Sequence, residues 1–161
     1  MKKLNLKCSK GITLITLVTT VVVLILLTSM IIYNVPDHVE SKKLKDLQND
    51  IQIIKEKVMS FYAKNGVVPG NVEYEWSLYA GDTFYIVDLQ SLDALTLNYG
   101  QEGYNAYKNI RTSALNGTIT DTQKQLLNGI TDIFIFNVQT LDVYYVEGIS
   151  FDGVTYYTYS E

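Results

Sequence analysis

The first 36 residues contain one unbroken apolar run. Residues 11–36 carry no charge and are mostly Val, Ile, Leu and Thr. At about 1.5 Å per residue, a helix of these 26 residues measures about 39 Å, more than the roughly 30 Å hydrocarbon core of a bilayer. We therefore predict a transmembrane helix over 12–36. The alternative is a buried core helix, but the chain has no other long apolar segment to cover one.

A different apolar pattern follows in residues 37–65, where apolar side chains recur every three or four positions. This apolar stripe consists of Leu44, Leu47, Ile51, Ile54, Val58 and Phe61. Charged residues, Asp50 among them, lie between these positions, which indicates an amphipathic helix whose stripe packs on a sheet. Asn65 and Gly66 suit a left-handed helix cap. Pro36 lacks a backbone donor, so a kink or break is expected there, with a restart at Asp37.

The remaining residues, 66–161, combine turn signals with β-branched and aromatic runs. The run "DTFYIVDL" (82–89) predicts a strand, and 90–100 predicts a short helical turn that ends at Gly100. The polar stretch 101–120 is interpreted as a loop. In "TDTQKQLLNG" (120–129), Thr120 or Asp121 suits a helix cap and Gly129 a stop.

Three strand-like runs end the chain. They are "DIFIFNV" (132–138), "DVYYVEGI" (142–149) and "VTYYTY" (154–159), and Asp152–Gly153 is a hairpin signal between the last two. Short connections predict an antiparallel meander. The expected fold class is α+β, with a long N-terminal helix packed on a C-terminal antiparallel sheet.

Charge indicates an orientation and excludes one class of partner. Lys2, Lys3, Lys7 and Lys10 precede the apolar run, which predicts a cytoplasmic N-terminus and an extracytoplasmic head in a single-pass membrane protein. From Asn65 onward, three basic side chains stand against twelve acidic ones. Nucleic acid is therefore not an expected partner, because phosphate binding needs a basic surface.

The segment "KGITLITLVTTVVVLILL" resembles the N-terminus of type IV pilins and pseudopilins, the prepilin signal. The resemblance implies a basic leader (1–11) that a prepilin peptidase removes by cutting between Gly11 and Ile12, directly after Lys10. It also implies N-methylation of Ile12. Other pilin or pseudopilin subunits are the implied partners, bound through the N-terminal helix. Phrases such as "DVYYVEGISFDGVTYYT" are similar to pilin-like proteins of Gram-positive, clostridium-type bacteria.

One position departs from the family pattern. The glutamate that pilins carry five residues after the glycine is Thr16 here. In pilins that carboxylate pairs with the ammonium terminus of a neighbouring subunit, and Thr16 lacks the charge. The chain therefore resembles a minor subunit of a type IV pilus or type II secretion-like filament more than a bulk pilin.

Thr13, Thr16 and Thr20 share one helical face. Small hydroxyl residues on a membrane helix allow close packing between helices. Alternatively, their hydroxyls bond back to the preceding turn of the same helix.

Candidate catalytic or metal-binding residues are scarce. His38 is the only histidine, and Cys8 the only cysteine, so we expect no enzyme, cofactor or metal centre. Five acids in the head were considered as calcium ligands and interpreted as solvated: Asp82, Asp88, Asp93, Asp121 and Asp132. The head carries eleven of the thirteen tyrosines, some expected in the core and some on a contact surface. The alternative function is an unprocessed, signal-anchored surface protein with an acidic, tyrosine-rich binding head.

Overall fold

The computed structural model describes residues 10–94, 96–114 and 118–159, with the backbone alone for 10–15 and 26–37. The chain divides into two compact units, Met1–Glu40 and Ser41–Glu161. Residues 1–9 of the predicted leader lie outside the described residues. The side chains of Lys10, Ile12 and Thr13 also lie outside the described part, and Gly11 is described by its backbone.

Helix α1 comprises Lys10–Asn65, in which the backbone is helical on both sides of Pro36. The predicted break with a restart at Asp37 is therefore wrong, because a proline removes only one of the many hydrogen bonds of a long helix, and the alternative of a kink at Pro36 stays a prediction. The predicted cap is confirmed, since Gly66 has a φ of 69° and its N–H donates to the Tyr62 carbonyl at 2.8 Å. Among the residues that the structure describes, no helix is both long and apolar enough to cross a membrane.

An antiparallel four-stranded sheet organises the second unit, with strand order β1-β2-β3-β4. The strands are β1 (Glu73–Tyr74), β2 (Phe84–Ile86), β3 (Phe134–Asn137) and β4 (Val143–Tyr145). Their register pairs Tyr85 with Phe136 and Ile135 with Tyr144. The strands predicted in 82–89, 132–138 and 142–149 are confirmed, although each is shorter than its run, and β1 was not predicted.

The predicted meander is wrong at its last strand. Strands β5 (Ile149–Phe151) and β6 (Val154–Tyr156) form a separate two-stranded sheet around the predicted Asp152–Gly153 turn. The run 142–149 divides because Gly148 takes a φ of 70°, a left-handed conformation that turns the chain out of β4. After β6 the chain returns to β4, where the Tyr145 N–H donates to the Tyr157 carbonyl at 2.7 Å.

Two further helices lie between β2 and β3. Helix α2 (Gln101–Ser113) occupies the stretch interpreted as a loop, and Gly100 precedes this helix instead of ending one, so both expectations are wrong. Helix α3 (Asp121–Asn128) is confirmed with its cap: Thr120 accepts from the Gln123 N–H in a capping box, and Gly129 follows the last turn. A 3₁₀ turn, Ser77–Tyr79, connects β1 to β2.

The hydrophobic core of the second unit joins α1 to the sheet. Four members of the apolar stripe are almost fully buried, and they belong to one cluster with the buried sheet residues: Leu47, Ile51, Ile54 and Val58. The expected burial of the stripe is therefore confirmed. The described part of the chain has α+β architecture with an antiparallel sheet.

Candidate functional site

The first candidate is the apolar part of α1 that follows the prepilin-like motif. Residues 16–25 carry no charge, and every one of their side chains is exposed, Leu17 by 65 % and Leu24 by 62 %. Water contact with so much aliphatic surface is unfavourable, by about 25 cal/mol for each Å². Lipid or another apolar helix would remove this cost, so this segment is a candidate assembly surface.

Two of the threonines predicted to lie on one helix face belong to this segment. Thr16 and Thr20 are exposed, and the Thr20 Oγ1 donates to the Leu17 carbonyl at 2.8 Å. Thr19, on another face, donates likewise to the Thr16 carbonyl at 2.9 Å. The Thr20 hydroxyl therefore bonds to the preceding turn of its own helix, as the alternative interpretation expected. The role of the face formed by Thr13, Thr16 and Thr20 in helix packing stays a prediction.

The second half of α1 is built into the head. Beyond its buried stripe, the Lys55 Nζ pairs with Asp142 Oδ1 at 2.8 Å, and Lys57 donates to the carbonyls of Leu92 and Asp93 at 3.0 and 2.9 Å. These contacts reach Asp142, directly before β4, and the loop after β2. Within the second unit, α1 is thus a structural member of the fold.

Asp50 is the buried carboxylate of α1, only 1 % exposed, although the sequence pattern placed it among the polar positions. Its Oδ2 accepts from the N–H groups of Asn98 and Tyr99 at 2.7 and 3.0 Å, and its Oδ1 accepts from Asn98 Nδ2 at 2.9 Å. Burial raises the pKa of Asp50, and the hydrogen bonds offset only part of that rise. Asp50 therefore fixes the loop before α2 onto α1.

Asp132 holds the start of α2. Its carboxylate accepts from the N–H groups of Gly100, Glu102 and Gly103 at 2.7, 3.2 and 3.3 Å. These are amides that a helix terminus leaves without intrahelical partners. Tyr145 Oη donates to Asp132 Oδ1 at 2.9 Å, and burial together with this bond raises the pKa of Tyr145. Asp132 thereby joins α2 to strand β4.

Asp88 is the centre of a third polar cluster, between β2 and α2. It accepts from Tyr104 Oη at 2.6 Å, from Ser91 Oγ at 2.8 Å and from Arg111 Nη1 at 3.2 Å. Burial alone would raise the pKa of Asp88, but these hydrogen bonds together lower it. Burial and the bond to Asp88 raise the pKa of Tyr104 to about 12.

The expectation that all five singled-out acids are solvated is therefore wrong for Asp88 and Asp132, which tie elements together by hydrogen bonds. Asp82, Asp93 and Asp121 are exposed, and so is His38. Among the described residues, no group of three His, Cys, Asp or Glu side chains is arranged to hold a metal ion.

An aromatic cluster forms a further surface feature. The Trp76 ring lies 4.9 Å from Tyr79 and 5.5 Å from each of Phe84, Tyr144 and Tyr157. Phe84 is buried, whereas Tyr79 is 40 % exposed. The cluster ties the β1–β2 connection to β4 and to the chain after β6. A contact role for its partly exposed rings stays a prediction.

Sequence reasoning missed Asp50, Asp132 and Asp88 as organising residues. Asp50 lies between Leu47 and Ile54 of the apolar stripe, one position before Ile51, which places it on the buried face. That helical position was the available signal. Comparison of the chain with protein-family models, with curated proteins and with solved structures gave no match.

Proposed function

We propose that this protein is a structural subunit of pilin type, a minor pilin or pseudopilin. In this proposal it is inserted in the membrane through the N-terminal part of α1, and a prepilin peptidase cuts it after Gly11. The observation that carries the proposal is the composition of α1. An uncharged segment with exposed side chains at 16–25 directly follows "KGITLI". Further along α1, the apolar stripe belongs to the core of the second unit.

The residues around the Gly11–Ile12 bond support the proposed cleavage by a prepilin peptidase. Lys10 and the earlier lysines favour a leader on the cytoplasmic side, and Gly11 offers a peptidase a backbone without a side chain. Cleavage would also remove Cys8, so that the mature chain would contain no thiol.

Thr16 is the reason for proposing that this chain is a minor component of the filament. Cleavage leaves an ammonium group on Ile12, and a charge inside an apolar bundle is costly unless it is paired. No residue from Ile12 to Pro36 carries a carboxylate. Copies of this chain therefore lack the charge partner for one another, whereas a second pilin with the usual glutamate would supply it. The proposal is thus mixed assembly, with this chain as the minor component.

The test compares three forms of the chain, each expressed as the sole pilin beside a working assembly machine. They are the unmodified chain, Thr16→Glu, and Thr16→Gln as a control of similar size without charge. Filaments sheared from the cells are measured by electron microscopy and immunoblot. We expect filaments from Thr16→Glu alone, and incorporation of the unmodified chain when a glutamate-bearing pilin is added.

Abundant homopolymer from the unmodified chain would refute the minor-subunit role. Failure of every form to assemble, with or without the second pilin, together with a retained leader, would favour the signal-anchored binding protein instead.

A further inference from the structure

The charges of the head are unevenly distributed in the fold. From Asn65 onward the chain has three basic side chains, Lys108, Arg111 and Lys124, against twelve acidic ones. The first two lie on α2 and the third on α3. One region made by these two helices therefore holds every basic side chain of a segment that is otherwise strongly acidic.

The two helices are fixed to each other at this point. Gln123, one residue before Lys124, donates from Nε2 to the Ser113 Oγ at 3.3 Å and to the Ile110 carbonyl at 3.5 Å. The first turn of α3 thus rests on the last turn of α2. As a result, Arg111 and Lys124 line one cleft although they are thirteen positions apart in the chain.

This cleft has a volume of about 670 Å³, within the range of ligand sites in proteins. Its lining combines the two cations with polar Asn71 and Thr118 and with apolar Val72 and Ile119. A bare inorganic anion would use the cations and leave the apolar lining without a partner. An acidic peptide segment with alternating apolar side chains would use both.

The charges that line the cleft identify Lys124 as the residue to test. Arg111 Nη1 contacts Asp88 Oδ2 and Tyr107 Oη, each at 3.2 Å, so Asp88 offsets part of its charge while holding it in place. Among the described residues, Lys124 forms no ion pair. Glu73, on β1, lines the same cleft and opposes an anionic ligand.

We propose that the cleft between α2, α3 and the segment before β1 binds an acidic polypeptide segment of a partner protein. Outside α2 and α3, the charged side chains from Asn65 onward are acidic and repel such a segment, which favours this cleft over the rest of that surface. The proposal is independent of whether the N-terminus is processed or forms filaments.

The experiment uses the full chain in an uncharged detergent and two hexapeptide probes, alternating Glu-Leu and alternating Lys-Leu, with inorganic phosphate as a third arm. Binding is measured by calorimetry at low and moderate salt. We expect the Glu-Leu peptide alone to bind. Lys124→Gln should weaken it about threefold to fivefold, and Glu73→Gln should strengthen it by a similar factor, as expected for charge contacts worth up to about 1 kcal/mol.

A matched control separates the cleft from general attraction. Lys124→Glu and Lys64→Glu change the net charge equally, and Lys64 is exposed near the end of α1. Loss of binding in Lys124→Glu with retention in Lys64→Glu supports the cleft. Equal weakening by both variants, absence of Glu-Leu binding, or phosphate binding as tight as the peptide would overturn the proposal.

Discussion

Asp50 provides the sharpest test of how α1 is built into the head. In Asp50→Ala the N–H groups of Asn98 and Tyr99 lose their acceptor in a partly buried site. Each donor left without an acceptor lowers the free energy of unfolding by about 1–3 kcal/mol. Removing a carboxylate that is costly to bury offsets part of this loss. We expect the free energy of unfolding to fall by about 3 kcal/mol, and by about 1–2 kcal/mol in Asp50→Asn, which keeps one oxygen acceptor.

Urea unfolding followed by tryptophan fluorescence measures this change. Trp76 is the only tryptophan of the chain and lies in the aromatic cluster of the second unit, so its signal reports on the head. The matched control is Asp46→Ala, one turn earlier on α1 and only partly buried, for which a change within about 0.5 kcal/mol is expected. Equal effects of the two substitutions would refute the role assigned to Asp50.

A second readout is the pH dependence of the free energy of unfolding, compared between the wild type and Asp50→Asn. Because the pKa of Asp50 is raised on folding, the folded chain binds this proton more tightly than the unfolded chain does. The Asp50 contribution to stability therefore grows as the pH falls from neutral through the folded-state pKa. The stability advantage of the wild type over Asp50→Asn should widen over that interval, and a difference that narrows would contradict the burial argument.

Four further outcomes are expected. Ile54→Lys places an unpaired charge in the core and should lower the free energy of unfolding by about 4 kcal/mol in urea titration. Gly103→Ala brings a Cβ to 1.8 Å from the Asp132 carbonyl oxygen, so α2 must shift, and the melting temperature should fall by an amount equivalent to about 1–3 kcal/mol. A chain that begins at Ser41 should be a folded, soluble monomer by size-exclusion chromatography and circular dichroism, because its core lies within the second unit. Asp88→Asn should lower the free energy of unfolding more at neutral pH than below pH 3.8. The pKa of Asp88 is lowered on folding, so the ionised carboxylate stabilises the fold at a pH above its unfolded-state pKa. This stabilisation is lost as the pH falls through the folded-state pKa.

Exposed neighbours supply the controls for these substitutions. Gln52→Lys on α1 and Asn105→Ala on α2 are both exposed, and each should change stability by less than about 0.5 kcal/mol. An unchanged melting temperature in Ile54→Lys would place the stripe away from the core. Aggregation of the Ser41 chain would mean that residues 1–40 contribute to the fold of the head.

Local patterns predicted the elements that depend on neighbouring residues. The spacing of Leu47, Ile51, Ile54 and Val58 revealed the buried face of α1, because a helix repeats every 3.6 residues. Thr120 and Gln123 lie three positions apart and form the capping box that starts α3.

Elements that depend on distant residues were not predicted. Helix α2 begins directly after Gly100 because Asp132, about thirty positions later, accepts from the amides at its start. Its sequence is polar and contains Gly103, and its burial rests on Tyr104 and Tyr107, so its local pattern resembles a loop. The separation of β5 and β6 from β4 likewise depends on Gly148, where a Cβ would lie 2.6 Å from the Thr155 Cγ2.

The two candidate surfaces likewise differ in how far the sequence predicts them. The pattern "KGITLI" and the charge-free run were evident in the sequence, because each consists of consecutive residues. The cleft with Arg111 and Lys124 was not, because it needs two helices whose contact Gln123 makes.

The most direct test of the proposed pilin-type function is the intact mass of the protein purified from its own host. The account predicts a chain that begins at Ile12 with a methylated amino group, and a Gly11→Asp form that keeps residues 1–11. An unmodified protein that still carries Met1 to Gly11 in a host with an active prepilin peptidase would contradict it.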